Sequence, residues 1–393
     1  MTLRDLGPVL ALGVSQIIGY GTLYYAFPLL VPSVAATFGQ SESLLFGIFS
    51  IGILCGGLTA PRLGRLFDRI GAPRVMTWGS LAAAATLVLV ATAPHFLVWA
   101  GLLLLLQTIA VSVLYDAAFA ALVRHHGPAG RVAITRLTLI AGFASTLFWP
   151  LTDALIGWLG WRGALLVFAA LHATLGFGIH LWLSRLTPIA SEPADPASPA
   201  QHGSDARALP SWAFGAVAAS FAMTGMLVSA IGVHMVLVLA GLGLGASATL
   251  VAMLMGPAQV AIRLINALFW NAFHPLSVAA IAVLALPVAI CCLLVGLPVW
   301  LAAPLFAGLF GIGQGLNSII RGSVPLALFG AEGFGARLGR LALITAIAAA
   351  GAPFAFAALR SGLGLFPTLT LFLVIGVVAA LPILILRARL IRQ

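Results

Sequence analysis

Two charges lie deep inside apolar sequence, and they are the first places to look for chemistry. Asp116 follows Tyr115 and stands eight residues before Arg124, about 12 Å of helix from the polar end of its run. Arg321 is the only arginine comparably deep, with Asn317 four residues and Gln314 seven residues before it on the same helical face. A charge in apolar surroundings is costly unless paired or hydrated, so each of these residues needs a partner or a task. Asp116 has three open roles. It could take up and release a proton that couples an ion gradient to another step, form a gate with Arg321, or serve as a structural partner for Arg65, Arg69 or Arg74. Arg321 could hold a carboxylate or phosphate as a planar bidentate donor, pair with Asp116, or extend to the nearest polar surface.

Uncharged polar side chains form a second group. Gln16, Tyr20 and Tyr24 are spaced i, i+4, i+8 and share a face with Pro28, while Gly19 and Gly21 loosen the backbone beside them. A polar, aromatic stripe on a helix broken by Gly and Pro suits the lining of a cavity; an aromatic belt at an interface is the plainer alternative. Gln107 joins this group from the middle of its own apolar run. His234 is the one histidine well inside the apolar runs of the second half, and His172 and His180 are its counterparts in the first. A lone buried histidine most often makes a helix contact, and His234 could also meet a solute or a proton.

Five of the seven methionines, Met223, Met226, Met235, Met253 and Met255, fall close together in sequence. Thioethers suit Cu(I). His234, however, is eleven residues from Met223, roughly 16 Å along a helix, so one compact site cannot use them all and flexible packing accounts for them. Enzyme signatures are missing. A chain without lysine has no GxxxxGK[ST] loop, and there is no H-E-x-x-H and no paired CxxC. No catalytic residue, metal or cofactor is expected. Cys55, Cys291 and Cys292 are odd in number and two are adjacent, which implies no disulfide framework.

The elements that must position these residues follow from composition. Of 393 residues, 62 % are hydrophobic and only 7 % charged, with a mean hydropathy of +1.15. Soluble domains carry about 25 % charged residues, so this chain could not cover its surface in water. That excludes a soluble enzyme, a nucleic-acid reader and a disordered scaffold. The net charge of +10 comes from 19 arginines, most of them at the ends of apolar runs and never in a basic block, which is membrane anchoring and not a nucleic-acid footprint.

A membrane-crossing helix needs about 20 apolar residues. Charges, Pro/Gly clusters and polar breaks divide the chain into expected spans at 7–35, 43–62, 75–93, 96–123, 132–154, 162–183, 212–239, 247–268, 277–296, 300–328, 338–359 and 364–386. The first run is too long for a cleaved leader and reads as a retained span. The expectation is an all-α membrane protein of twelve helices in two halves, 1–184 and 212–393. Between them, 185–211 is a Pro-, Ser- and acid-containing cytoplasmic linker with no apolar period. Placing both termini in the cytoplasm puts all but Arg162 and Arg360 of the loop and helix-end arginines on the inner side. The halves also repeat. Arg62-Leu63 in APRLGRLFDRIGAPRV is matched by Arg263-Leu264 in AIRLINALFWNAFHPLSV, and Asp116 stands opposite Arg321 in that register.

The segment Gly64-Arg65-Leu66-Phe67-Asp68-Arg69-Ile70-Gly71-Ala72-Pro73-Arg74, after the second expected span, resembles the loop motif G-x-x-x-D-R-x-G-x-x-[RK] of the major facilitator superfamily. Gly160-Trp161-Arg162 fits the same family, and the resemblance covers the whole chain. The runs GFASTLFWPL and GPAQVAIRL resemble a bacterial branch containing copper and riboflavin importers. The glycines permit a tight turn and close helix approach, and Asp68 can accept from N–H groups at a helix start or pair with arginine. The resemblance implies a conformational latch made of Gly64, Arg65, Asp68, Arg69, Gly71 and Arg74, with topology alone as the simpler role for the arginines.

It further implies a monomeric secondary transporter in a bacterial inner membrane. The two halves would rock about a cavity lined from spans 1, 4, 7 and 10 by Gln16, Tyr20, Tyr24, Gln107, His234, Gln314, Asn317 and Arg321. The implied partners are a small organic solute, a proton or other coupling ion, and the lipid bilayer. An efflux pump of the same fold, a copper importer and a membrane sensor on a transporter scaffold are the alternatives.

Overall fold

The computed structural model describes residues 3–127, 130–186, 210–245, 247–269 and 273–391, and among these there are helices and turns but no strand. The expected linker 185–211 lies almost wholly outside the described residues, as do Arg207 and Arg392. Span 1 consists of α1 (Leu3–Tyr20), a π-helical turn (Gly21–Tyr25) and α2 (Phe27–Phe38). Spans 2 and 3 are α3 (Glu42–Ile70) and α4 (Ala72–Ala91), and span 4 is α5 (Phe96–Ala110) followed after a break by α6 (Tyr115–His126). Next come α7 (Gly130–Ala141), α8 (Ala144–Leu171), a second π-turn (His172–Gly176) and α9 (Phe177–Arg185). The second half runs through α10 (Ala213–Leu239), α11 (Ser247–Ala252), α12 (Met255–Phe269), α13 (Pro275–Leu294) and α14 (Val299–Phe329). It ends with α15 (Phe334–Ala350), α16 (Ala352–Leu363) and α17 (Leu365–Ile391).

Eleven helical runs among the described residues are long and apolar enough to cross a bilayer, and one of these, Gly130–Arg185, is 56 residues long. It holds two crossings. Gly160 inside α8 has φ 68 and ψ 172, a left-handed turn that glycine adopts without a Cβ clash, and it separates 130–159 from 161–185. The twelve helices match the expected spans, with the helix ends around 60–75 running further than expected. The segment read as a loop at 60–75 is almost entirely helical. α3 continues to Ile70, Gly71 alone makes the turn with φ 95, and α4 restarts at Ala72 with Pro73 in its first turn.

The chain forms two compact units. One comprises the described residues up to His125, those from 130 to 186, and Ala331–Ala346; the other comprises 126–127, the described residues of 210–330, and 347–391. The first core is built on Phe27, Leu87, Trp99, Phe148 and Phe168, and the second on Phe306, Phe310, Phe356 and Phe372. Large apolar side chains such as Trp78, Trp158, Leu250 and Phe354 remain exposed, as suits helices whose solvent is lipid.

Candidate functional site

Interrupted helices shape the first unit. The π-turn in span 1 and the break at 111–114 in span 4 displace backbone groups from regular pairing, and in a membrane those groups must be satisfied inside the protein. Two glutamines do this. Gln107 Nε2 donates to Leu23 O in the π-turn at 2.9 Å, and Gln16 Nε2 donates to Val113 O in the span 4 break at 2.8 Å. Both glutamines are buried. Thr22 Oγ1 donates to Ile18 O at 2.8 Å. Its only hydrogen is thereby used, so it accepts from His172 Nε2, also at 2.8 Å. That bond ties the two π-turns together. His180 is held by Ser80, with 2.8 Å between Nδ1 and Oγ.

The same interruption gathers aromatic rings. The four tyrosines of the chain form one cluster. Tyr20 lies 6.4 Å from Tyr24, 6.3 Å from Tyr25 and 4.5 Å from Tyr115 between ring centroids. Tyr115 stacks on Phe119 at 5.2 Å, and Tyr25 meets Trp149 of α8 edge-on at 6.4 Å. Tyr24 is 44 % exposed and Trp149 52 %. Asp116 sits one residue beyond Tyr115, buried, in the first turn of α6, where the helix dipole favours a carboxylate.

In the second unit Gln314 of α14 accepts from Gln259 of α12, Nε2 to Oε1, at 2.7 Å. Arg263 is buried with its Nε 3.3 Å from Gly315 O. Asn317 and Arg321 lie further along α14, half-buried. His234 donates through Nδ1 to Ala230 O at 2.9 Å, and its ring lies 4.9 Å from that of Phe356. Among the described residues no three His, Cys, Asp or Glu side chains converge as metal ligands. The methionines occupy unlike surroundings, with Met235 in the core and Met253 largely exposed.

The loop motif does the most specific work. Gly335 N and Ala336 N, the second and third residues of α15, each donate to Asp68 at 2.8 Å, one to each carboxylate oxygen. The first four N–H groups of a helix lack intrahelical partners, and the carboxylate takes two of them with the charge that the helix dipole favours. Gly64 makes this approach possible, because a Cβ there would overlap the Gly335 carbonyl oxygen, and one at Gly339 would overlap the Ala60 carbonyl oxygen. Arg124 reaches over Gly71, its Nη1 3.5 Å from Asp68 O. Arg65, Arg69 and Arg74 are exposed.

Several of these participants escaped the sequence reading. Thr22 and the amides of Gly335 and Ala336 carry no distinguishing local pattern, and Gln259 and Trp149 fall inside the runs GPAQVAIRL and GFASTLFWPL, whose resemblance does not single them out.

Together these features define a polytopic helical membrane protein of two six-helix halves with interrupted spans and a carboxylate-capped helix at one end. The Major Facilitator Superfamily model matches residues 12–332, and the chain belongs to that family. The fold is similar to the crystal structure of the human organic anion transporter MFSD10 (TETRAN), with a TM-score of 0.71, 18 % identity, and coverage of 98 % of this chain and 100 % of that one. It is also similar to the proton:xylose symporter XylE bound to 6-bromo-6-deoxy-D-glucose (TM-score 0.66, 15 % identity, 96 % and 94 % coverage). A third similar structure is FucP in the outward conformation (0.66, 16 %, 96 % and 98 %). No curated protein matches the sequence.

Proposed function

We propose that this protein is a proton-linked secondary transporter of a small organic solute, working by alternating access as a monomer in a bacterial inner membrane with both termini cytoplasmic. The observation that carries this reading is the Asp68 contact. A segment from the second half of the sequence, Ala331–Ala346, belongs by its contacts to the first unit, and its leading amides are held by Asp68. Two charge-assisted hydrogen bonds at an exposed edge are strong enough to bias a conformation and weak enough to break in a transport cycle. In this reading Gly64, Asp68 and Gly71 form a latch, with Arg65, Arg69 and Arg74 at the inner surface.

Within the first unit Tyr20 and Tyr24 are the residues offered to a solute in this reading, and within the second Gln314, Asn317, Arg321 and His234. Gln16 and Gln107 support the segments that carry the tyrosines. Asp116, the acid buried beside Tyr115, is the proton carrier in this reading. The similar structures are named for organic anions and for sugars, so the fold by itself leaves the solute open.

Reconstitution in proteoliposomes tests the reading. Accumulation of solute should follow an imposed proton gradient. Asp116→Asn should abolish accumulation and spare solute exchange, and unchanged pH dependence in that variant removes Asp116 as the carrier. Absence of counterflow with every solute in a broad set would favour a sensor built on the same scaffold.

A further inference from the structure

The first half offers a solute rings rather than hydrogen bonds. Its buried polar side chains near span 1 are turned into the protein: Gln16 Nε2 bonds Val113 O while its Oε1 is buried without a partner, Gln107 Nε2 bonds Leu23 O, and Thr22 bonds Ile18 O and His172. What stays open is aromatic. Tyr24 is 44 % exposed, and its hydroxyl has no hydrogen-bond partner among the described residues. In hydrocarbon such a hydroxyl would cost several kcal/mol, so the face that carries it is a wet one. Tyr20, Tyr25, Tyr115 and Trp149 stand around it with centroid separations of 4.5 to 6.4 Å along the cluster.

The π-turn explains how one helix presents these rings together. A π-turn has one more residue than an α-turn, so Tyr24 and Tyr25 both remain beside Tyr20 instead of rotating away at 100° per residue. Tyr25 thereby reaches Trp149 while Tyr24 stays open. A sugar or polyol site needs several uncommitted donors and acceptors around each hydroxyl, and this face supplies phenols and an indole. A flat ring needs π-faces, and each stacked ring contributes a factor of about 5 to 150 in affinity.

We infer that the tyrosine cluster of Tyr20, Tyr24, Tyr25 and Tyr115, with Trp149, is a stacking wall for a solute that carries a planar unsaturated ring, with the Tyr24 hydroxyl bonding a polar substituent of that ring. The inference rests on the transporter reading above and narrows its solute class.

Saturation-transfer difference NMR on the full-length protein in nanodiscs tests it. The probes are adenine, nicotinamide, indole-3-acetate and naphthalene-2-carboxamide. They are set against cyclohexylacetate, decahydronaphthalene-2-carboxamide, D-xylose and D-glucose. The expected result is saturation confined to compounds with a planar ring and strongest on the ring protons. Tyr24→Ala should weaken the best binder at least tenfold, and Tyr24→Phe, which keeps the ring, by about threefold or less. An unchanged melting temperature in Tyr24→Phe shows that the fold is intact.

Binding of the sugars in preference to the rings, binding of saturated and unsaturated partners alike, or no binding by any probe overturns the inference. So does equal binding by wild type and Tyr24→Ala. Proteoliposome uptake of the best binder separates the two claims. Ring binding that depends on Tyr24 without uptake sinks the transporter reading alone. Uptake of a ring compound that is indifferent to Tyr24→Ala sinks the stacking wall alone.

Discussion

Replacing Asp68 by asparagine removes a charge and one acceptor while leaving the volume almost unchanged. In the native contact each carboxylate oxygen accepts one amide, from Gly335 and from Ala336, both at 2.8 Å. Asparagine can offer its carbonyl oxygen to one of them, and its NH2 then faces the other N–H. Hydrogen bonds to charged groups are worth about 1.5–3 kcal/mol, and a charge at a helix N-terminus a further 0.3–1 kcal/mol or so. This contact is partly solvated, which lowers those figures, and a loss of about 2 kcal/mol is expected. That corresponds to roughly a 30-fold change in an equilibrium constant.

Amide hydrogen exchange reads the contact directly. Gly335 and Ala336 lie in the first turn of α15, so no intrahelical carbonyl protects them, and their protection comes from Asp68. In Asp68→Asn a peptide covering 334–340 should exchange at two amides about 30-fold faster, with peptides from the core of α13 unchanged. Solute turnover should slow with little change in solute affinity. Unaltered exchange at Gly335 and Ala336 would refute the assignment of the carboxylate to this helix, and a loss of affinity alone would argue against a latch.

Gly64→Ala should be more severe than Asp68→Asn. The added methyl meets the Gly335 carbonyl oxygen, a backbone atom that cannot rotate away, so faster exchange should spread along the first half of α15. Gln107→Leu should lower stability by about 1–3 kcal/mol by leaving the Leu23 carbonyl in the π-turn unsatisfied, visible as a lower melting temperature and faster exchange in 21–26. Arg162 donates to Ala91 O at 2.9 Å and Ala93 O at 3.2 Å, and lies 4.4 Å from the Trp161 ring centroid. Arg162→Ala should therefore cost about 2 kcal/mol, read as a lower melting temperature with the proton dependence of uptake retained.

Composition and apolar run length determined that this is a twelve-helix membrane protein, because lipid admits only backbone that satisfies itself and about 20 apolar residues are the shortest helix that spans it. The spacing of Gly64, Asp68 and Gly71 exposed the helix–turn–helix at 60–75 for a local reason: one residue must turn with positive φ and another must lack a Cβ. Tertiary structure alone decided the partners. Nothing near Gly335 or Ala336 in sequence announces that their amides meet a carboxylate more than 260 residues away. Gln16, Tyr20 and Tyr24 read as one stripe under a regular helical period. The π-turn changes that period, so Gln16 is buried against Val113 O while Tyr24 stays open. Whether a polar side chain serves a solute or an orphaned carbonyl depends on where a neighbouring helix breaks, and a local sequence pattern does not carry that information.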